Sequence, residues 1–298
     1  MRRGPSRART HRNVSVPALV LAFCALGGAA AVTEPGPVDP VAEPPTTATA
    51  PTTSPAPKAG PSPSPTVDRV LPATKPPEDL PVISYVHVPK GFPADPSPAS
   101  LAHLPEGLHP KHKLAVYDAP GGKPRAYLPS TIRGVTVIVP VVAKKPGWSA
   151  VLLPSVNRRI GWLPDHGWRA ETLRDQVVVR LGERTLTWWR DGVQQKTWTV
   201  AIGSERTPTP LGRTFVLGRT GTHGEVYAGL DALVLGAVPD DRGAVAPGLK
   251  DAHTGIHAWY RKSVFGRNVS NGCVRMPKDA QETLLANLAA GTPITVVA

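Results

Sequence analysis

Cysteine is scarce in this sequence, and its scarcity excludes a disulfide-stabilised fold. Of 298 residues only Cys24 and Cys273 are cysteines. Cys24 lies in an N-terminal apolar stretch that has the pattern of a removable secretory signal. Once that stretch is removed, Cys273 has no partner for an intramolecular disulfide. A single thiol in an exported protein is either buried as a small apolar residue or kept for its reactivity.

Acidic and aromatic residues are also few. The chain has 22 Asp and Glu against 34 Lys and Arg, a formal net charge of +12, and 5% aromatic residues. Five arginines precede the first apolar run, and subtracting them from +12 leaves +7. A basic protein of this kind suits an anionic polymer as partner. Basic and aromatic residues do not alternate along a stripe, so we predict no nucleic-acid partner.

The sequence has no apolar run of ordinary membrane-spanning length near its start. The run from Val14 to Leu26 is short for a transmembrane helix and is interrupted by Pro17. An arginine-rich start, this run and the small residues Ala29 to Ala31 are the three parts of a secretory signal. We therefore predict a signal peptide over residues 1–31 and export from the cytoplasm. Membrane attachment is expected only if this segment stays uncleaved.

Proline is concentrated in the first third of the chain, which predicts an extended spacer. Residues 32–106 are rich in Pro, Thr, Ala and Ser, and stretches such as Pro61 to Pro65 favour extended polyproline conformations. We predict a disordered linker over residues 32–106 that carries the folded part away from the membrane.

Residues 107–172 have the pattern of a small β domain. Apolar runs such as Leu114–Tyr117 and Val135–Val142 are separated by Gly and Pro turns, which favours a small barrel. The passages Leu114 to Pro129, Pro146 to Pro154 and Ile160 to Pro164 resemble bacterial SH3-like domains of secreted wall proteins. That resemblance implies wall binding or spacing, and a purely structural barrel is the alternative.

Residues 173–298 predict a mainly β domain with one helix. Apolar strand candidates precede and follow Asp191-Gly192, a dipeptide typical of a two-residue hairpin turn. Asp279–Ala290 is the one clear helix, because its apolar residues recur on one face and Gly291 stops it. The predicted fold class is therefore mainly β throughout.

The chemistry of this domain centres on Cys273 and His257. A thiol attacks a carbonyl as the thiolate, and a neighbouring imidazole can take its proton. A predicted loop from Ala258 to Gly272 separates the pair, so the spacing allows proximity without establishing it. Gly272 lets the backbone approach a substrate closely, and amides near Cys273 can stabilise an oxyanion.

Two further side chains are candidates for substrate contact. Arg275 would share a face of a strand with Cys273, where it would favour the thiolate, hold a substrate carboxylate or form a structural salt bridge. The segment from Thr220 to Leu235 is a candidate lid, with Tyr227 facing the substrate. The other histidines, His253 and His223, lack the convergent ligands of a metal site, so we predict no metal.

The residues around Cys273 resemble the L,D-transpeptidase (YkuD-type) family. The matching segments are Ile256-His257, the S-x-G-C-x-R pattern of Ser270 to Arg275, the TPTPLG segment of Thr207 to Gly212, and the C-terminal segment from Lys278. The resemblance implies a β-sandwich-like catalytic domain with Cys273 as nucleophile and His257 as general base. It also implies an oxyanion site at the backbone of Gly272 and Cys273, with Ser270 supporting the loop, and no cofactor.

The same resemblance implies acyl transfer in peptidoglycan. The cysteine would break the bond between the L-centre of diaminopimelate and the terminal D-alanine of a tetrapeptide stem. An amine of a second stem would then take the acyl group, forming a diaminopimelate-to-diaminopimelate cross-link. The expected partners are stem peptides and an anionic cell-wall polymer. An L,D-carboxypeptidase, which passes the same acyl group to water, and a non-catalytic wall-binding protein are the alternatives.

Two positions depart from the common pattern of this family. Asn271 stands where the family often has His, and Ala258 stands where it often has Gly. The first departure removes a competing candidate base. Together they leave open how His257 and the loop that carries Cys273 are oriented.

Overall fold

The computed structural model describes residues 69–221 and 224–298. The predicted signal peptide at residues 1–31 and residues 32–68 of the predicted linker lie outside this part of the chain. The described residues are mainly β with a single α-helix, which confirms the predicted fold class. Over the same residues, no helix has both the length and the apolar character needed to cross a membrane.

The first sheet is antiparallel and covers residues 106–172. Its strands are β1 (Glu106–Pro110), β2 (Leu114–Tyr117), β3 (Pro124–Leu128), β6 (Val139–Lys145), β7 (Trp148–Leu152), β8 (Ile160–Pro164) and β9 (Trp168–Thr172), beside a separate pair, β4 (Thr131–Ile132) and β5 (Val135–Thr136). The strand order is β3-β2-β8-β7-β6-β1-β9. Tyr117 and Trp148 pack edge to face in its core, with ring centroids 5.0 Å apart.

The second sheet is mixed and carries the candidate site. Its strands are β10 (Asp175–Arg180), β11 (Thr185–Arg190), β12 (Val193–Thr199), β14 (Gly212–Arg219), β15 (Leu233–Leu235), β16 (Gly255–Ala258), β18 (Val274–Met276) and β19 (Pro293–Val297), beside a separate parallel pair, β13 (Ile202–Gly203) and β17 (Asn268–Ser270). The order is β12-β11-β10-β19-β14-β15-β16-β18. The β10–β19 and β16–β18 pairs are parallel, whereas the other pairs are antiparallel.

Local sequence signals explain two elements of this sheet. Asp191 and Gly192 both have positive φ, 51° and 76°, which is the backbone of the predicted hairpin turn between β11 and β12. The helix α1 (Lys278–Asn287) packs against β16. Ala280 and Leu284 are fully buried on its inner face, as the apolar spacing predicts.

The linker prediction is wrong for the part nearest the first sheet. Residues from about 80 to 105 have almost no regular structure, yet Ile83, Tyr85 and Phe92 are buried in the core of the first sheet. Ile83 and Tyr127 are joined by a backbone hydrogen bond of 2.8 Å from the Ile83 N–H. The prolines prevent regular pairing over most of this segment, but its short apolar pieces still cover the sheet, which the composition did not reveal.

The two sheets share one compact unit from Val70 to Ala298. Phe215 and Leu217 of β14 belong to the same apolar core as the first sheet. A buried ion pair between Asp95 and Arg213 joins the segment before β1 to β14, with Arg213 Nε donating to Asp95 Oδ2 at 2.9 Å. Burial on both sides of the contact predicts that the sheets unfold together.

Candidate active site

The parallel pairing of β16 and β18 brings the predicted residues to one face. Ile256 pairs with Val274 and His257 with Arg275. Because alternate residues of a strand point to opposite faces, Ile256 and Val274 enter the core while His257 and Arg275 face away from it. Cys273 precedes β18 by one residue and lies beside Gly255. A Cβ placed on Gly255 would be 3.9 Å from Cys273 Sγ, so the small residue leaves space beside the sulfur.

The Cys273 thiol is buried, with 3% of its surface exposed. Burial raises its pKa to about 11, and a hydrogen bond from the Gly255 backbone and the charge of Arg275 only partly offset this. The resting thiol is therefore protonated at neutral pH, and attack requires a base.

His257 presents a neutral imidazole in a defined orientation. Its Nδ1 lies 2.8 Å from the Ala258 carbonyl oxygen. A carbonyl can only accept, so the proton lies on Nδ1 and Nε2 keeps its lone pair. Burial, with a smaller contribution from the positive charge of Arg275, lowers the His257 pKa to about 4, although the hydrogen bond to Ala258 acts in the opposite direction. The ring is thus in the form that can accept a proton at neutral pH.

The turn that carries Cys273 is held by Ser270. Ser270 Oγ donates to the Cys273 carbonyl at 2.5 Å and accepts from the Gly272 N–H at 3.1 Å. Thr207 Oγ1 donates to the Ser270 carbonyl at 3.0 Å, which ties the TPTPLG segment to the same turn. Gly272 has a φ of +102°, which glycine adopts without strain. Because the Gly272 N–H is bonded to Ser270, Gly272 supports the loop in this arrangement, and the predicted oxyanion site at the backbone stays a prediction.

Arg275 lies on the same face as His257 and is stacked on an aromatic ring. Its guanidinium carbon is 3.7 Å from the centroid of the Trp259 ring. Burial lowers the pKa of Arg275, and Cys273 and Tyr227 are near enough to act against that shift. This contact was not predicted from the sequence, where its signal is the two-residue spacing that puts Trp259 on the same face as His257. The residues that the structure describes give Arg275 no carboxylate partner, which excludes the salt-bridge alternative there.

Tyr227 covers His257. It ends the 3-10 helix Glu225–Tyr227 and is 5% exposed. Its ring meets the His257 ring edge to face, with centroids 4.7 Å apart. Burial raises the pKa of the Tyr227 hydroxyl, and nearby Cys273 adds to the rise. The structure therefore places Tyr227 over the predicted base, on the segment expected to form a lid.

Asn271 lines two small pockets. One is lined by Cys273, Leu249 and His253 among others. The other is lined by Pro208 and Asp240 among others. Asn271 is half-buried and lines both. It therefore contributes to the wall near the sulfur.

His253, which the sequence gave little weight, lies in the wall of the Cys273 cavity. Its Nδ1 is 2.6 Å from the Leu235 carbonyl and its Nε2 is 2.5 Å from the Tyr85 carbonyl. Its ring stacks on Tyr85 at 4.2 Å. The spacing of four residues from His257 puts both on one side of an extended chain, and this was the available signal. Across the described ranges, no three His, Cys, Asp or Glu side chains are grouped closely enough to hold a metal ion.

Residues 174–296 match the model of the YkuD L,D-transpeptidase catalytic domain. YkuD of Bacillus subtilis (strain 168) is 27% identical over 151 residues, which cover 51% of this chain and 80% of that protein. YkuD of Bacillus licheniformis is 27% identical over 126 residues, covering 42% of this chain and 67% of that protein. The family model begins after residue 172, so the SH3-like resemblance of residues 107–172 stays a prediction.

Solved structures give weaker likenesses. An L,D-transpeptidase from Mycobacterium smegmatis is 16% identical, covers 54% of this chain and 82% of its own, and has a TM-score of 0.35. An L,D-transpeptidase from Mycobacterium tuberculosis H37Rv is 17% identical, covers 55% of this chain and 92% of its own, and also has a TM-score of 0.35. These scores are too low to bear on fold or function.

Proposed function

We propose that the protein is a cysteine acyltransferase that cross-links peptidoglycan, because residues 174–296 match the model of the YkuD L,D-transpeptidase catalytic domain. The supporting observation is the face shared by Cys273 and His257, with His257 held as a neutral base through its Nδ1–H bond to Ala258. A protonated thiol beside a proton-accepting imidazole is a sufficient pair for covalent acyl transfer.

The first half-reaction forms a thioester. Cys273 Sγ attacks the carbonyl carbon at the L-centre of diaminopimelate while its proton passes to His257 Nε2. With the Gly272 amide engaged by Ser270, the Cys273 amide is the donor we assign to the oxyanion. The C–N bond to D-alanine then breaks, and the leaving amine takes the proton from His257.

The second half-reaction transfers the acyl group. A side-chain amine of another stem attacks the thioester carbonyl and gives up a proton to His257. The C–S bond breaks, the thiolate recovers that proton, and an amide cross-link results. Arg275 is suited to a substrate carboxylate, because one face of its guanidinium covers Trp259 and no described carboxylate pairs with it.

Substrate entry requires a part of the site to move. Cys273 and His257 are 3% and 1% exposed, so a peptide cannot reach the sulfur in this arrangement. Tyr227 covers His257 from a three-residue 3-10 helix, which has little structure of its own to hold it. We assign the opening movement to this segment.

The test is a product determination on defined stem peptides. The full chain is incubated with a tetrapeptide muropeptide, and the products are identified by mass spectrometry. We expect release of D-alanine and a cross-linked dimer, both lost in Cys273→Ala and kept in the control Ser97→Ala. Trimmed tripeptide without dimer would assign the L,D-carboxypeptidase reaction instead. A chain that neither releases D-alanine nor forms a carbapenem adduct on Cys273 would be a wall-binding protein.

Location and wall partner are part of the proposal. The signal pattern of residues 1–31 and the net charge of +7 without its five arginines support export and contact with an anionic wall polymer. Cell fractionation checks the first point, and salt-dependent sedimentation with purified wall checks the second. Recovery of the protein in the cytoplasm would contradict export. Salt-independent sedimentation would contradict contact with an anionic wall polymer.

A further inference from the structure

One wall of the Cys273 cavity is a long connection with little structure of its own. Residues 236–254 run from β15 to β16, and only Pro247–Leu249 forms a regular turn. Pro239, Val245 and Leu249 from this connection line the cavity beside the sulfur. Its two ends are paired, since the Thr254 N–H donates to the Ala237 carbonyl at 2.9 Å. The part between them needs contacts from elsewhere to keep its shape.

The loop between β7 and β8 supplies those contacts. Asn157 Nδ2 donates to the Val238 carbonyl at 2.7 Å, and the Val238 N–H donates to Asn157 Oδ1 at 3.0 Å. Asn157 Nδ2 also lies 2.9 Å from Asp240 Oδ1. One amide side chain therefore satisfies both backbone groups of Val238, as a neighbouring strand would. Among side chains of this length, only asparagine offers a donor and an acceptor together.

Neighbouring residues of the same loop continue the pattern. The Ser155 N–H donates to the Gly236 carbonyl at 2.8 Å. Arg158 forms an ion pair with Asp240, with Nη2 2.6 Å from Oδ1. Gly236, Val238 and Asp240 are alternate residues, so the loop binds one edge of the extended connection. The bonds reach from the first sheet to the wall of the site.

The loop itself holds a strained backbone. Ser155 and Arg158 have φ of 65° and 54°, a region that residues with side chains seldom adopt. Such strain persists where the surroundings impose it, and it is concentrated at functional positions. Here it aims the Asn157 amide and the Ser155 N–H at the same edge.

From these contacts we propose that Asn157 is a positioning residue, which fixes residues 236–254 as the wall of the nucleophile cavity from outside the catalytic domain. The first sheet thereby takes part in shaping the site, beyond any contact that it makes with the wall. The proposal rests on the proposed function only in taking Cys273 as the nucleophile, since access to the thiol can be measured without turnover.

The experiment compares full-length Asn157→Ala with Asn287→Ala. Asn287 Nδ2 donates to the Thr283 carbonyl at 2.8 Å at the end of α1, so the control also removes a side-chain to backbone bond. Hydrogen exchange by mass spectrometry reports on residues 236–254. Iodoacetamide labelling, read on the peptide that contains Cys273, reports on access to the thiol.

In Asn157→Ala we expect exchange in residues 236–254 and labelling of Cys273 to be about tenfold faster, the factor for about 1.4 kcal/mol of lost hydrogen bonding. Exchange in β10 to β12 should stay at the wild-type rate, and Asn287→Ala should leave both readouts unchanged. Equal acceleration throughout the protein, or unchanged exchange and labelling, would overturn the proposal.

If Asn157→Ala does not fold, Asn157→Asp keeps the acceptor for the Val238 N–H and loses the donor, so a smaller change in the same two readouts is expected. Unchanged exchange and labelling in Asn157→Asp would equally refute the role of Asn157. If labelling is faster in Asn157→Ala but the wild-type chain forms no cross-links, the proposed function is contradicted and the role of Asn157 stands.

Discussion

Burial sets the ionisation of the two reacting side chains in opposite directions. It raises the pKa of Cys273 to about 11 and lowers the pKa of His257 to about 4. Between these values the resting site holds a thiol and a neutral imidazole, because neither ion is solvated there. The reacting ion pair forms as the proton moves, so the histidine has to act during attack rather than before it.

This ionisation predicts an unusual pH dependence of acylation. With His257 as base, the rate of carbapenem acylation of Cys273 should be nearly flat from about pH 5 to about pH 10. In His257→Ala the rate should fall at neutral pH and rise about tenfold per pH unit as the thiolate fraction increases. Intact-protein mass spectrometry at short reaction times measures both. A wild-type rate that climbs steadily through neutral pH would show that the thiolate forms without His257.

At the scale of elements, the turn between β17 and β18 carries the nucleophile. Ser270 Oγ bonds to both the Gly272 N–H and the Cys273 carbonyl, and Thr207 holds the Ser270 carbonyl from another segment. The turn is therefore fixed from within and from outside. These bonds hold the sulfur of Cys273 at the start of β18 rather than on a free loop.

Removal of the Ser270 hydroxyl should loosen this turn. We expect Ser270→Ala to lower the free energy of unfolding by about 1–3 kcal/mol, since two buried backbone groups lose their partner. Acylation of Cys273 by a carbapenem should also become slower. Denaturant titration and mass spectrometry measure the two effects.

Ser149→Ala is the matched control for this substitution. Ser149 is also 1% exposed and donates to Asp165 at 3.1 Å, in the first sheet. It should lose stability without a change in acylation rate. Equal acylation rates in the two variants would mean that the turn is held by other contacts.

At the scale of the whole molecule, the buried ionisable groups link stability to pH. The folded pKa of His257 is depressed, so its stabilisation is complete above about pH 6.5 and is lost as the pH falls toward 4. The folded pKa of Cys273 is raised, so its stabilisation is complete below about pH 9 and is lost as the pH rises toward 11. Tyr227 adds to the alkaline loss because its pKa is raised as well.

The melting temperature should therefore be highest between about pH 6.5 and pH 9. Each of the two shifts corresponds to about 3 kcal/mol at its limit. Calorimetry from about pH 4 to about pH 11 measures the profile. Cys273→Ala should reduce the alkaline decline and leave the acid decline in place, whereas identical profiles in the two proteins would contradict burial of the thiol.

The sequence alone determined what depends on neighbouring residues. The Asp191-Gly192 turn and the α1 helix follow from local backbone preference and apolar spacing. The resemblance to the YkuD family follows from residue types at short fixed intervals around Cys273, and the family model matches residues 174–296. These signals are local, so they can be read before the chain folds.

Only the tertiary structure decided which distant residues meet. The parallel register of β16 and β18 sets His257 and Cys273 on one face, and burial then sets their ionisation. The contact of Asn157 with Val238 and the packing of Ile83 in the first sheet join residues far apart in the chain. Such contacts form because apolar burial brings whole strands together, and no local pattern specifies the partner.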